Sequence, residues 1–214
     1  MVKGLTSIGR CCRRLVILAV TTFLLACGDN PQLSPLYDGD RILAFGDSLT
    51  YGTGVERQYS YPSVLAELTG LEVINMGVPG EESTAGLLRL QQVLAEDNPQ
   101  LVILCHGGND FLRKRSRETL AENLIKMIEI IRTSGAQVVL LGVPRPGLFL
   151  SSENLYGEIA EQMQVPIELK IVPQLLSDNS MKSDPVHFNR QGYAAMANAV
   201  FELLVAQGAI TETL

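Results

Sequence analysis

Residues 41–52, RILAFGDSLTYG, open with a short apolar run and pass at once into small and polar residues. Three further runs rich in apolar and β-branched side chains follow at intervals of about thirty residues, at 71–75, 101–106 and 137–142. Stretches with helical spacing lie between them. The sequence therefore predicts β-strands that alternate with helices, which is the pattern of right-handed βαβ units and a parallel sheet.

The helical stretches support this interpretation. Residues 118–134 place their apolar side chains on one face, and Gly135 follows as a helix end. A last helix is predicted from Asn189, a suitable N-cap, to about residue 207. Helices of this kind cover both faces of a parallel sheet, and a fifth strand is expected near 165–167.

Chemically useful side chains follow the predicted strands. Ser48 follows the first run, Gly77 the second and Asn109 the third, while Asp184 and His187 precede the last helix. In open α/β sheets, ligands bind outside the carboxyl ends of the strands. We therefore expect these residues to surround one site.

The residue types suit acyl transfer. A serine hydroxyl needs a base, and His187 is the candidate, with Asp184 placed to accept a hydrogen bond from its Nδ1. Ser48 is then the natural partner of Nε2. The backbone N–H groups of Ser48 and Gly77 and the side-chain amide of Asn109 are candidate donors to a developing oxyanion.

These motifs resemble the four blocks of the SGNH (GDSL-type) hydrolases, in particular the branch of arylesterase, thioesterase I and lysophospholipase L1. The resemblance runs from about residue 41 to 204 and rests on GDSL at 46–49, Gly77, Asn109 and D-x-x-H at 184–187. It implies a three-layer α/β/α sandwich, which we expect to contain a flavodoxin-like parallel sheet of five strands.

The resemblance also implies roles for single residues. Ser48 is the nucleophile, Asp184 and His187 complete the triad, and Ser48, Gly77 and Asn109 form the oxyanion hole. The sequence departs from the family at Phe188, where many members have proline after the histidine. We expect this change to affect the turn more than the chemistry.

Other polar and apolar residues have structural explanations. Asp47 and Asp110 are expected to make hydrogen bonds in loops, and Cys105 to lie in the core. His106 is expected to support the structure or to line a pocket. Residues 143–150, VPRPGLFL, are a candidate lining for an acyl pocket, and an ordinary packed turn explains them equally well.

Several classes of protein are excluded. Position 50 is threonine, so the Gly-x-Ser-x-Gly elbow of α/β-hydrolases is missing, and the glycines form neither a dinucleotide-binding motif nor a Walker motif. Two separated histidines give no zinc site. We expect no metal and no cofactor, and the formal charge of −6 disfavours a nucleic-acid partner.

The first 26 residues have the pattern of an export signal. They carry four basic residues and no acidic one, and the apolar run 15–25 is shorter than the ~20 residues of a membrane-spanning helix. LLAC at 24–27 resembles the lipobox of bacterial lipoproteins, which implies cleavage before Cys27 and a lipid on its sulfur. An ordinary cleaved signal and an uncleaved anchor are the alternatives.

The predicted organisation is a signal peptide at 1–26, a lipidated Cys27 with a flexible tether to residue 40, and a hydrolase domain at 41–214. Without the signal, 13 basic and 23 acidic residues remain, a net charge of −10. We expect an exported protein held by a lipid on a bacterial membrane, on the periplasmic side or at the outer membrane. The sequence does not fix the oligomeric state, and we expect a monomer.

The sequence thus predicts a serine esterase that cleaves carboxylic esters through an acyl-enzyme intermediate. Its substrates are expected among short-chain esters, aryl esters and lysophospholipids. A thioesterase or a cell-wall sugar O-acetylesterase of the same family is an alternative. A binding module that keeps the fold without catalysis is another.

Overall fold

The computed structural model describes residues 33–147 and 151–211. The predicted signal peptide and Cys27 lie outside the described residues. The strands are β1 (Arg41–Gly46), β2 (Glu72–Gly77), β3 (Leu101–Cys105), β4 (Gln137–Leu141) and β5 (Ile167–Glu168). All adjacent pairs are parallel, and the order across the sheet is β2-β1-β3-β4-β5. This is the flavodoxin-like order, so the predicted α/β sheet is confirmed.

Eight helices accompany these strands in the described part of the chain. They are α1 (Ser48–Tyr51), α2 (Tyr61–Thr69), α3 (Ser83–Asp97), α4 (Gly108–Leu112), α5 (Arg117–Thr133), α6 (Asn154–Met163), α7 (Ile171–Ser177) and α8 (Arg190–Ala206). Helix α2 packs against α8, whereas α3 packs against α5, and α5 against α6. Right-handed crossovers from the central strands place these two groups on opposite faces of the sheet, which gives the three layers.

The central strands carry the core. Every residue of β3 is buried, as are all residues of β1 after Arg41. Such continuous apolar runs are expected of parallel strands that helices cover on both faces. Cys105 is fully buried in this core, as its apolar neighbours in the sequence predicted.

The segment before β1 is attached to the domain. Leu33 is buried, its N–H donates to the carbonyl of Gln207, and the N–H of Leu36 donates to the carbonyl of Ala209. The sequence predicts a flexible tether for this segment. Leu33 and Leu36 instead contribute apolar surface beside the end of α8, so the ordered domain includes residues before Arg41.

The boundaries of the predicted elements differ by one or two residues from those observed. The most consequential difference is in β2, which continues through Gly77 instead of ending at Asn75. The turn that follows β2 is therefore displaced toward Gly80. Asn189 is the N-cap of α8, where its side chain accepts a hydrogen bond from the N–H of Gly192, as predicted.

No helix within residues 33–147 and 151–211 combines the length and hydropathy that crossing a membrane requires.

Candidate active site

Ser48 begins helix α1 directly after strand β1. Asp47 is the N-cap of this helix, and its Oδ1 accepts a hydrogen bond from the N–H of Leu49 at 3.0 Å. Asp47 is almost fully buried, and this burial raises the pKa of its carboxyl group. The cap fixes the tight strand-to-helix turn that presents the Ser48 hydroxyl at the carboxyl edge of the sheet.

The structure brings Ser48, His187 and Asp184 into one hydrogen-bonded chain. The Oγ of Ser48 lies 3.0 Å from Nε2 of His187, and Nδ1 of His187 lies 2.7 Å from Oδ2 of Asp184. Ser48 and His187 are 139 positions apart in the sequence, so the fold creates this contact. A neutral imidazole with its proton on Nδ1 would leave Nε2 free to accept the hydroxyl proton.

Asp184 is held by the turn that it begins. Its Oδ1 accepts hydrogen bonds from the N–H groups of Val186 and His187, both at 2.9 Å. Burial alone would raise the pKa of Asp184. The hydrogen bonds from the His187 ring and from the two backbone N–H groups outweigh this effect and hold the pKa below its usual value. The carboxylate is therefore ionised at neutral pH and oriented toward the ring.

Phe188 anchors the same turn from the other side. It is fully buried, and its ring packs edge-on against Tyr193 with 5.3 Å between centroids. The residue that departs from the family pattern thus fills the core below His187. The Asp184–His187 contact forms even though phenylalanine stands where many family members have proline.

Gly77 does not lie at the site. As the last residue of β2, its N–H donates to Oδ1 of Asn75 at 3.0 Å. A Cβ at position 77 would lie 2.6 Å from both the carbonyl carbon of Thr50 and the Cα of Tyr51. Glycine is therefore required here for the close approach of β2 to α1, and its N–H is already bonded.

Gly80 lies at the cleft, where the sequence predicts Gly77. It lines the same cleft as Ser48 and Asn109, with φ at +76° in the turn after β2. Its N–H has no hydrogen-bond acceptor among the described residues. The prediction missed Gly80 because it ended β2 two residues early and took the first glycine that followed.

Asn109 lies in α4, directly after β3, and faces Ser48 across the cleft. Its Nδ2 donates to the carbonyl of Glu81 at 3.0 Å and, with a longer contact of 3.3 Å, to Oδ2 of Asp47. The shorter bond fixes the amide plane.

These residues border a cleft of about 440 Å³, a size typical of small-molecule sites. Most of its walls are apolar side chains and prolines. They are Leu49, Pro79, Leu112, Val143, Pro144, Pro146, Val172, Leu176, Pro185 and Val186. The candidate acyl-pocket segment 143–150 thus contributes to the cleft through residues 143, 144, 146 and 147, whereas residues 148–150 lie outside the described part.

The other polar residues singled out in the sequence have structural contacts. Asp110 accepts hydrogen bonds from the N–H and the hydroxyl of Ser83 at the start of α3. His106 is fully buried and lies near Glu81 rather than in the cleft. Within the described residues, no group of three or more His, Cys, Asp or Glu side chains is arranged to hold a metal ion.

Comparison with known proteins identifies the family. Residues 44–195 match the family model of the GDSL-like lipase/acylhydrolases. The chain belongs to this family. It is 33% identical to an arylesterase of Vibrio mimicus over 162 residues, which are 68% of this chain and 81% of the arylesterase. It is also 26% identical to the thioesterase 1/protease 1/lysophospholipase L1 of Escherichia coli strain K12, over 74% of this chain and 80% of that protein.

The crystal structure of TesA has the same fold as this GDSL-like hydrolase. It superimposes with a TM-score of 0.70 at 28% identity, and covers 78% of this chain and 99% of TesA. Membership in the family and the esterases among its relatives make the protein an ester-hydrolysing enzyme. This finding disfavours the alternative of a binding module without catalysis.

Proposed function

We propose that the protein hydrolyses carboxylic esters through an acyl-enzyme intermediate on Ser48. The observation that carries this proposal is the hydrogen-bonded chain of Ser48, His187 and Asp184 at the mouth of an apolar cleft. A serine next to a base, with the base oriented by a carboxylate, is the arrangement that activates a hydroxyl for attack.

The chemistry proceeds in two halves. His187 Nε2 takes the proton of Ser48 as Oγ attacks the ester carbonyl, and the carbonyl electrons move to the oxygen. As the tetrahedral intermediate collapses, His187 gives that proton to the departing alcohol and the acyl group stays on Oγ. Water, deprotonated by His187, then attacks the acyl-enzyme. As the second tetrahedral intermediate collapses, His187 returns this proton to Oγ of Ser48 and the carboxylic acid is released. Asp184 stabilises the imidazolium form in both halves.

The oxyanion is stabilised by the backbone N–H groups of Ser48 and Gly80 and by Nδ2 of Asn109. Gly80 takes this role in place of Gly77 because its N–H lies at the cleft without an acceptor among the described residues, whereas that of Gly77 is bonded to Asn75. Three donors fixed before the reaction are a large source of rate enhancement in acyl transfer.

The cleft favours esters with an apolar acyl group. Its walls are mostly apolar, so most hydroxyls of a sugar bound there would face side chains that cannot form hydrogen bonds with them. Each methylene that the walls remove from water stabilises binding by about 0.8 kcal/mol, or roughly fourfold in kcat/KM. An acyl thioester is the second candidate because apolar walls make no distinction between an ester and a thioester.

Turnover of p-nitrophenyl esters from acetate to octanoate tests this assignment. We expect kcat/KM to rise with acyl length until the cleft is filled, and Ser48→Ala to lower it at least about 1000-fold. His187→Ala should be nearly as damaging. A rate that Ser48→Ala leaves unchanged contradicts the proposed nucleophile, and a rate that falls steadily from acetate contradicts the acyl cleft. Matched acyl thioesters in the same assay measure the second candidate.

We also propose that the enzyme is exported and lipid-anchored. The support is the sequence of residues 1–27, with its basic start, its apolar run of 11 residues and LLAC at 24–27. A lipid on Cys27 would hold the active site near membrane esters. Metabolic labelling with palmitate tests this: the wild-type protein should be labelled and Cys27→Ser should not, and label retained by Cys27→Ser contradicts the anchor.

A further inference from the structure

A partly buried cluster of polar and charged side chains lies beside the proposed oxyanion donors. It consists of Glu81 in the turn after β2, Arg89 in α3 and His106 just after β3, and we name it the Glu81 cluster. Glu81 accepts hydrogen bonds from Nε and Nη2 of Arg89, both at 2.7 Å, and Nε2 of His106 lies 3.1 Å from its Oε2. The three residues come from three segments of the chain, and none belongs to the triad.

Arg89 holds the ends of two strands. Its Nη2 donates to the carbonyl of Met76 at 2.9 Å and, over 3.3 Å, to the carbonyl of Gly46. Its guanidinium carbon also lies 4.0 Å from the ring centroid of Phe45. Met76 belongs to the end of β2, and Gly46 is two residues before Ser48. A planar guanidinium fixes several acceptors at once, so Arg89 sets the spacing of these strand ends.

Glu81 connects two of the proposed donors. It follows Gly80 directly, and its carbonyl accepts the hydrogen bond from Nδ2 of Asn109. Burial alone would raise the pKa of Glu81, but the hydrogen bonds from His106 and Arg89 outweigh it and hold the pKa below its usual value. Glu81 is therefore ionised at neutral pH, and this clamped side chain fixes the backbone on which both donors depend.

The ring of His106 packs closely against helix α3 at Gly86. It is fully buried, and a Cβ on Gly86 of α3 would lie 3.0 Å from its Cδ2 and closer still to Nε2. The carbonyl of His106 accepts a hydrogen bond from the hydroxyl group of Tyr156 at 2.7 Å. Its Nδ1 is buried without a partner among the described residues, which suits a neutral ring that donates from Nε2 to Glu81.

We propose that Glu81, Arg89 and His106 are positioning residues that hold the Gly80 N–H and the Asn109 amide at the spacing of the oxyanion. The inference rests on the proposed function, since it concerns the donors of that reaction. It gives His106 a role through Glu81 rather than as a base.

The test replaces Arg89 by lysine and by glutamine in the otherwise intact protein. Both variants should lower kcat for p-nitrophenyl butyrate at least about 10-fold while KM changes little, because an error of 1 Å in placing reacting groups costs on the order of 100-fold. The affinity for an alkylboronic acid, which forms a tetrahedral adduct with the serine, should fall by a similar factor. Lysine keeps the positive charge but lacks the planar guanidinium group. Arg89→Lys should therefore have a kcat and a boronate affinity between those of Arg89→Gln and the wild type.

Arg115→Gln is the matched control. Arg115 also bonds a glutamate through two nitrogens, with Nε at 2.7 Å and Nη2 at 3.1 Å from Glu82, but it contacts no strand carbonyl. This variant should leave kcat and boronate affinity unchanged. If the Arg89 variants do not fold, kcat and boronate affinity are measured on Glu81→Gln, which keeps the backbone carbonyl that Asn109 uses. The positioning role predicts that both fall in this variant, and wild-type values contradict it.

The outcomes separate this inference from the proposed function. If Ser48→Ala abolishes turnover but Arg89→Gln and Arg89→Lys keep the wild-type kcat and boronate affinity, the positioning role is wrong and the nucleophile stands. A loss of activity that matches the loss of folded protein in thermal unfolding, with unchanged boronate affinity, also contradicts the positioning role. If Ser48→Ala retains turnover, the proposed function itself fails.

Discussion

Gly77→Ala tests whether Gly77 is a packing residue. The added Cβ would lie 2.6 Å from the carbonyl carbon of Thr50 and from the Cα of Tyr51, whereas ordinary contacts begin at 3.4 Å. All the crowded atoms are backbone, so no side chain can rotate away. The backbone nitrogen of Tyr51 would lie closer still, so the end of β2 or the whole of α1 must move by more than about 0.8 Å.

The size of the effect follows from this geometry. Overpacking of this kind costs about 1–3 kcal/mol of unfolding free energy. For a chain of this size, that lowers the midpoint of thermal unfolding by about 2–12 °C. Because α1 carries Ser48, the displacement should also lower kcat/KM by about 10- to 100-fold.

The assay pairs thermal unfolding with hydrolysis of p-nitrophenyl butyrate. Gly157→Ala is the control. Gly157 lies inside α6, and the nearest atom that its Cβ would meet among the described residues is Cδ1 of Leu169, at 3.8 Å. This control should be neutral or slightly stabilising, because alanine favours a helix over glycine. If Gly77→Ala unfolds at the same temperature as the wild type and keeps its activity, the steric argument is refuted.

Three further predictions concern polar groups. Asn109→Ala should lower kcat by about 100- to 1000-fold through loss of one oxyanion donor, with KM changed less than about threefold. Steady-state kinetics in which KM rises strongly while kcat stays near the wild-type value would contradict that role. Asp184→Asn should leave thermal unfolding nearly unchanged and lower kcat by up to about 10⁴-fold, and a wild-type rate would remove Asp184 from the mechanism. The pKa of Glu81 in the folded protein lies below the usual 4.5, so its contribution to stability is complete above that pH and is lost as pH falls through the folded value. Urea titrations should therefore show a stability difference between wild type and Glu81→Gln that is constant at neutral pH and shrinks below pH 4.5, and a difference that grows in acid would contradict this.

Much of the fold could be predicted because the apolar runs are decisive. Strands β1, β3 and β4 are buried on both faces, and such strands have near-continuous apolar sequences that mark them clearly. Helices α5 and α8 carry regular apolar faces. Strand β5 has only two residues, and the short helices α4 and α7 depend on tertiary contacts, so local pattern identifies them poorly.

The site was predictable where chemistry depends on side-chain identity. Ser48, Asp184 and His187 have residue types that suit the proposed reaction, and the fold brings the turn before α8 to the end of β1. Gly80 was missed because a backbone N–H can come from any residue, and only the true end of β2 shows which glycine faces the cleft. Arg89 was missed because an arginine on an amphipathic helix has the sequence pattern of a solvated residue, whereas here it turns inward to two strand carbonyls.

Ser48 is the proposed nucleophile. Reaction of the protein with a p-nitrophenyl alkylphosphonate, followed by intact mass and peptide mapping, tests it directly. We predict one phosphonyl group per chain, located on Ser48, formed together with loss of esterase activity and missing from both Ser48→Ala and His187→Ala. A group attached to another residue, or inactivation that proceeds at the wild-type rate in Ser48→Ala, would contradict the account.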